Sequence, residues 1–247
     1  MLDRFIYTAM TGAKHAMGQL GNTSHNLANA QTPGFREMVS MFRGVPVNGH
    51  ATDSRAFVVD STPGSNFSAG VISTTGNPLD VAIRDQGFFV LQRPDGSEAY
   101  TRSGKFTLDA YGVLRGQGGL AVAGVDGPIA TDGEASDIQI QTDGRVLLRV
   151  AGDFEATLLG RLKLVNPPAQ SLVREPDGLF VDPLGPAMPS EEVRIQQGTI
   201  EASNVNVASA MVEMIKQTRM FDLNLRMVQT AEQNAKSAGS LMSLARA

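Results

Sequence analysis

Apolar positions at the start of the chain recur at alternating steps of four and three: Ile6, Met10, Ala13, Met17, Leu20, Ser24 and Leu27. That spacing lays the side chains along one stripe of an α-helix and has the period of a heptad seam. Thr32-Pro33-Gly34 interrupts it, because proline lacks an amide donor and pushes the preceding residue out of the helical region, while glycine admits a turn. The first helix is therefore predicted to end near Ala30. The other end of the chain repeats the pattern through Val207, Met211, Met214, Thr218, Phe221, Leu225, Val228, Glu232, Ala235, Gly239 and Met242, with Asn204 or Asn206 able to cap the helix start. A second stripe beside it, Met220, Leu223, Met227, Ala231, Ala238 and Leu241, makes this helix apolar over more than one narrow seam. Such a helix calls for more than one neighbour.

Between the helices the period shortens to that of β-structure. Five Asp-Gly dipeptides, at 95, 126, 132, 143 and 177, separate short apolar or alternating runs, a hairpin signal because glycine reaches the backbone angles that tight turns need. Two hairpins are predicted: residues 88–92 with 99–102 around Pro94-Asp95-Gly96, and 138–141 with 146–150 around Asp143-Gly144. The expected fold class is α+β, with terminal helices forming a coiled-coil-like pair around a central all-β domain. Its expected segments are an N-terminal assembly helix (1–34), an extended linker region (35–78), the β domain (79–185), a return linker (186–203) and a C-terminal assembly helix (204–247). In the first linker Gly, Ser, Thr and Pro are frequent, with short extended pieces such as Phe57-Val58-Val59.

Ordering a terminal helix of about 25 residues costs ~1–2 kcal/mol per residue in backbone entropy. Burying five large seam residues returns ~1.5–3 kcal/mol each, which falls short of that sum. Packing the two helices together helps, yet the second stripe of the C-terminal one still faces water, so the balance predicts termini that fold upon assembly. The alternative is an intramolecular helix pair closing over the protein's own β domain. The methionines Met10, Met17, Met211, Met214, Met220, Met227 and Met242 fit either an irregular core or a surface that adapts to slightly different neighbours.

Composition narrows the chemistry. The chain has 247 residues, enough for one large domain or two modest ones, and a formal charge of -4 gives no footprint for phosphate backbones. Nucleic acid is not an expected partner, and with 6% aromatic residues and no Trp there is little material for stacking platforms. Cysteine is absent, which excludes disulfides and thiolate chemistry and leaves the fold to packing. No apolar run is long enough for a bilayer, and the first residues show neither a basic region nor a cleavage site, so no membrane insertion and no cleaved leader are expected. His15, His25 and His50 are the only histidines, and the two on the predicted helix lie ten residues apart, not at the spacing that puts two ligands on one metal. Gly116-Gln117-Gly118-Gly119 lacks the Lys-Ser/Thr of a phosphate loop. Asp80, Asp85 and Asp109 could belong to a carboxylate pair, and each also reads as a turn or solvated residue. Tyr100, Arg102 and Phe106 read as residues packed on a hairpin. No catalytic, cofactor or metal site is expected, and the chain is not expected to be an enzyme.

Several segments resemble the flagellar basal-body rod and hook protein family. Asn26-Leu27-Ala28-Asn29-Ala30-Gln31-Thr32-Pro33-Gly34-Phe35 is similar to the family's N-terminal signature. The likeness continues in Gly76-Asn77-Pro78-Leu79-Asp80-Val81-Ala82-Ile83, in Gly87-Phe88-Phe89, in residues 100–106 with 108–109 and 112–114, and in Glu201-Ala202-Ser203-Asn204-Val205-Asn206 before the last helix. Within the family the opening residues 2–10 and the modest length look most like a proximal rod protein, while the distal rod protein shares the central motifs. The resemblance implies a structural subunit of the periplasmic driveshaft, exported unfolded through the flagellar type III apparatus without a cleaved signal peptide. Its partners would be further copies of itself and the proximal and distal rod subunits. The expected assembly interface is Ile6, Met10, Met17, Leu20 and Leu27 with Met211, Met214, Phe221, Leu225 and Val228. Motif residues Asn26, Leu27, Ala28, Asn29, Pro33, Gly34, Phe35, Ser203, Asn204, Val205 and Asn206 are expected either to close helix ends or to reach a neighbouring subunit. The alternatives are a distal rod or hook-type subunit and, in a different class, a soluble β-domain enzyme or saccharide-binding module.

Overall fold

The two terminal periodicities become the two long helices of the chain. In the computed structural model, which describes residues 2–46, 56–131, 137–149 and 156–244, α1 spans Leu2–Ala28 and α2 spans Val207–Leu244. At the end of α1 the Asn29 N–H still reaches the His25 carbonyl at 3.1 Å, but the Ala30 N–H falls back to Leu27 at 3.2 Å, a tightened last turn. The Asn29 side chain donates to the same His25 carbonyl at 3.0 Å, satisfying an acceptor that the helix end leaves open. Of the two cap candidates for α2, Asn206 serves: its Oδ1 accepts the Ser209 N–H at 3.0 Å.

Between the helices, among the described residues, the chain forms β1 (Met38–Pro46), β2 (Ala56–Ser65), β3 (Ile72–Thr74), β4 (Val81–Ile83), β5 (Phe88–Gln92), β6 (Glu98–Thr101), β7 (Thr107–Leu108), β8 (Leu114–Arg115) and β9 (Ala121–Val122). They are followed by β10 (Asp137–Ile140), β11 (Arg145–Arg149), β12 (Thr157–Arg161), β13 (Leu164–Val165), β14 (Val173–Arg174), β15 (Phe180–Val181), β16 (Ile195–Gln197) and β17 (Thr199–Glu201). The fold is thus α+β, with one helix at each end and a β-rich stretch between them in the sequence. The chain divides into two compact units: one holds α1, β1, β2 and α2, the other residues 31–37 and 67–204.

In the first unit α1 and α2 pack together on small and polar side chains. Ala9, Ala13, Ala16, Thr23 and Asn26 are buried on α1, and Gln217, Asn224 and Ala231 on α2. Gly12 lets the backbones approach, since a Cβ there would lie 2.6 Å from the Asn224 Oδ1. This seam lies one position off the four-three apolar spacing read from the sequence, because bulky Met10 and Met17 would hold the helices apart where alanine and glycine let them close. β1 and β2 form an antiparallel hairpin in the segment read as an extended linker. β1 runs back along α1: Asn26 donates to the Met38 carbonyl at 2.9 Å and accepts the Met38 N–H at 2.8 Å. Asn22 donates to Ser40 Oγ at 2.8 Å, and His15 meets Phe42 edge-on at 5.6 Å.

The second unit is built on a sheet ordered β14-β15-β6-β5-β9-β8-β7, with β13 also pairing β5. Both expected hairpins are present, β5 with β6 and β10 with β11, and Asp95 and Asp143 accept the N–H two residues on, at 2.9 and 3.2 Å. Strand β5 alternates between two cores. Phe89 and Leu91 join Val81, Ile83, Phe106, Leu114 and Ile195, while Phe88 and Val90 join Tyr100, Val165 and Phe180 on the other side. Apolar burial on both sides explains why residues 88–91 read as a continuous apolar run. The ends Asp132-Gly133 and Val150 of the β patterns, and the side chain of Met242, lie outside the described residues.

Candidate assembly interface

Gly12 of α1 abuts Asn224, and Phe5, seven residues earlier, shares a cavity of about 430 Å³ with Leu223, Met227, Thr230 and Ala231. The two helices therefore run antiparallel. Turning about 100° per residue, α1 sends Ile6, Met10 and Met17 to the same side of the pair as Val207, Met211 and Leu225 of α2. Met10 is 54% exposed, Met17 65% and Met211 50%. Of the ten residues expected at the interface, Met10, Met17, Met211 and Leu225 are exposed, while Ile6, Leu20, Leu27, Met214, Phe221 and Val228 are half-buried between that side and the seam. By the helical repeat the ten positions fall between the seam and one flank of it. The second stripe, Met220, Leu223 and Met227, is exposed on the opposite side.

Little in the seam itself holds the pair. Alanines contribute small apolar areas, and the buried Gln217 Oε1 has no hydrogen-bond partner among the described residues, a defect that costs about 1–3 kcal/mol. Meanwhile large apolar side chains on both sides face water, which is the reverse of a finished core.

The motif residues Pro33, Gly34, Phe35, Ser203 and Asn204 build a different kind of site in the second unit, while Asn26 to Asn29, Val205 and Asn206 belong to the first. Gly34 has φ +68, and a Cβ on it would lie 2.3 Å from the Ser103 backbone nitrogen, so both backbone angle and space require glycine. Its N–H donates to the Glu201 carbonyl at 2.8 Å. Phe35 is buried under the Arg174 guanidinium, 4.3 Å from the ring centroid. Asn204 accepts the Glu37 N–H at 2.7 Å and donates to the Ser68 carbonyl at 3.0 Å. Pro33 and Ser203 are half-buried, Val205 is buried and Ala28 is exposed.

At the centre of this site is a triad that sequence reasoning did not assemble. The Glu201 carboxylate, fully buried, pairs with Arg36 at 2.9 Å and with Arg102 at 2.7 Å, and accepts the Gly70 N–H at 2.9 Å. Arg102 donates further to the carbonyls of Asp85, Gly87 and Ile83 at 2.9, 2.8 and 3.2 Å, and Arg36 to that of Ser68. Burial lowers the Arg36 pKa from its ordinary value, with Glu201 opposing and Arg102 adding to the effect. Arg102 had read as a hairpin residue and Glu201 only as part of a motif. The available signal was the presence of charged residues inside otherwise apolar or small-residue segments, but 99 positions separate Arg102 from Glu201.

The candidates for chemistry have structural occupations. His15 packs on Phe42, His25 neighbours Asn29 at 3.4 Å, and His50 lies outside the described residues. Asp80 accepts from Thr75 and Asn77 at 2.7 and 3.2 Å. Asp85 contributes its carbonyl to Arg102. Asp109 accepts the N–H groups of Tyr111 and Val113 at 2.9 Å, and the Val113 amide foremost holds its pKa below the ordinary carboxylate value. Gln117–Gly119 forms a single 3₁₀ turn. Among the described residues no group of acids and histidines is placed to hold a metal, and no helix is long and apolar enough to cross a membrane.

Residues 82–148 match the flagellar hook protein FlgE/F/G D1 domain, and residues 196–241 match the flagellar basal body rod FlgEFG protein C-terminal region. The flagellar basal-body rod proteins FlgF of Escherichia coli (strain K12) and Salmonella typhimurium are each 38% identical over 252 residues, covering 98% of this chain and 100% of theirs. FlgG of Buchnera aphidicola from Acyrthosiphon pisum is 29% identical over 259 residues, covering 96% and 98%. The chain therefore belongs to the FlgE/F/G family of flagellar rod and hook proteins, with its stronger likeness to FlgF, and is a structural, non-enzymatic subunit of the flagellar basal body.

Proposed function

We propose that this rod subunit polymerises through its terminal helices, packed in a coiled-coil-like pair, as part of the periplasmic driveshaft that transmits torque. The observation that carries the reading is the inverted amphipathicity of the pair: small and polar residues inside, Met10, Met17, Met211 and Leu225 outside. Burying a large apolar side chain releases ~1.5–3 kcal/mol, so neighbours that cover these residues stabilise both the contact and the helices making it. Contacts that do not close on themselves propagate into an open tube. Family membership implies other flagellar rod and hook components as partners, and the likeness to FlgF favours the proximal over the distal rod. Delivery would follow the family's flagellar type III export route. The saccharide-binding or enzymatic alternative has no support in the family.

A full-length chain carrying Met10→Glu and Met211→Glu tests the reading. Loss of motility and of rod assembly, with the circular dichroism of the purified chain unchanged, is the expected result. Normal rods and swimming would sink it.

A further inference from the structure

Asp-Gly dipeptides are open to one covalent change besides forming turns. The glycine amide nitrogen can attack the aspartate side-chain carboxyl, because no side chain on the glycine crowds its approach. Two restraints oppose the attack: a carboxylate held by other donors, and a glycine N–H held by an acceptor. Of the five such dipeptides in the chain, Asp132-Gly133 lies outside the described residues, and three of the other four carry both restraints. Asp95, Asp143 and Asp177 accept the N–H two residues on, at 2.9, 3.2 and 2.9 Å. Asp143 and Asp177 also accept from Arg145 and Arg93, at 2.7 and 2.8 Å. Their glycines are tied as well: Gly96 donates to the Arg93 carbonyl at 2.9 Å, Gly144 to that of Gln141 at 2.9 Å and Gly178 to that of Glu175 at 3.0 Å.

Asp126-Gly127 carries neither restraint. Both residues are exposed, and among the described residues neither the Asp126 carboxylate nor the Gly127 N–H has a partner. The turn is closed from elsewhere: the Gly124 N–H donates to the Gly127 carbonyl at 2.7 Å, and Ala123 bridges Pro128. Nothing lies within 4 Å of where a Gly127 Cβ would stand, so the nucleophile is open to its neighbour.

We infer that Asp126 is a modification site, at which the chain converts itself to isoaspartate. The Gly127 nitrogen bonds to the Asp126 Cγ and closes a cyclic imide, and the carboxyl OH leaves as water with the amide proton. A water molecule then opens the ring. Breaking the bond from nitrogen to the side-chain carbonyl restores aspartate; breaking the one to the main-chain carbonyl leaves a backbone that runs through the side chain and is one carbon longer. Water is the only co-reactant, and nothing is oxidised or reduced. The added carbon falls in the turn that joins the buried Val122 and Ala123 to the buried Ile129, so the change loosens the contact between Gly124 and Gly127.

Ageing the full chain at neutral pH, in native buffer and in urea, tests the site. Isoaspartate is measured with isoaspartyl methyltransferase and placed by fragment ions that separate position 126 from 132 and 143. In native buffer it should build up at Asp126 about ten-fold faster than at Asp95, Asp143 or Asp177, since each of those must first give up its hydrogen bonds. In urea the four rates should converge. Asp126→Glu, which keeps the charge and disfavours the ring, should remove the native signal at that position with circular dichroism unchanged. A native rate at Asp126 no higher than at the other three overturns the inference. So does a preference for Asp126 that persists in urea, because the local sequence and not the fold would then choose the site.

Discussion

The two compact units solve the problem of burial in opposite ways. In the second, Phe89, Leu91 and Ile83 are fully buried and even the charges of Glu201, Arg36 and Arg102 find partners inside. In the first, the buried seam is alanine, threonine, asparagine and glutamine, and the methionines lie outside. The second unit closes its large apolar side chains inside itself, whereas the first leaves its largest apolar side chains on the helices facing water.

The contrast can be broken most forcefully at Glu201. Glu201→Ala leaves two buried guanidinium groups without their carboxylate and should destabilise the second unit by about 3–5 kcal/mol, read by urea denaturation of the full chain. Asn26→Ala strips the Met38 peptide of two hydrogen bonds and should cost about 1–3 kcal/mol in the first unit. Hydrogen exchange would localise that loss to α1 and β1. Met17→Ala sharpens the comparison from the other direction: at an exposed position it should change the stability of the isolated chain by no more than about 0.5 kcal/mol, while weakening association and motility. Smallest of all is the effect of acid on the surface turn at Asp109. Its folded pKa is depressed, so its stabilisation is complete above the unfolded aspartate pKa and fades as pH falls through the lower folded value. Asp109→Asn should flatten the acid limb of the stability curve.

Much of this was legible in the sequence where spacing alone decides. The four-three period placed both helices, and Asp95-Gly96 and Asp143-Gly144 placed two hairpins, because those features depend on residues a few positions apart. Asn206 could not be told from Asn204 as the cap until the second was seen holding the Glu37 peptide. The β1–β2 hairpin was hidden by a segment rich in Gly, Ser, Thr and Pro, and its register along α1 depends on Asn22 and Asn26, which carry no strand signal. Periodicity also could not separate the seam that pairs α1 with α2 from the apolar stripe next to it. Choosing between them requires knowing how closely the backbones approach, and that was decided by Gly12.

The bond from the Glu37 amide to Asn204 spans 167 positions. As a chain emerges from its N-terminus, residues 34–37 present peptide groups whose acceptors have not yet been made, and closing so long a loop carries an entropic cost of its own. The knot of Gly34, Arg36 and Glu37 can tighten only when residues 201–204 arrive. In a partly synthesised copy these contacts of residues 34–37 are still unmade.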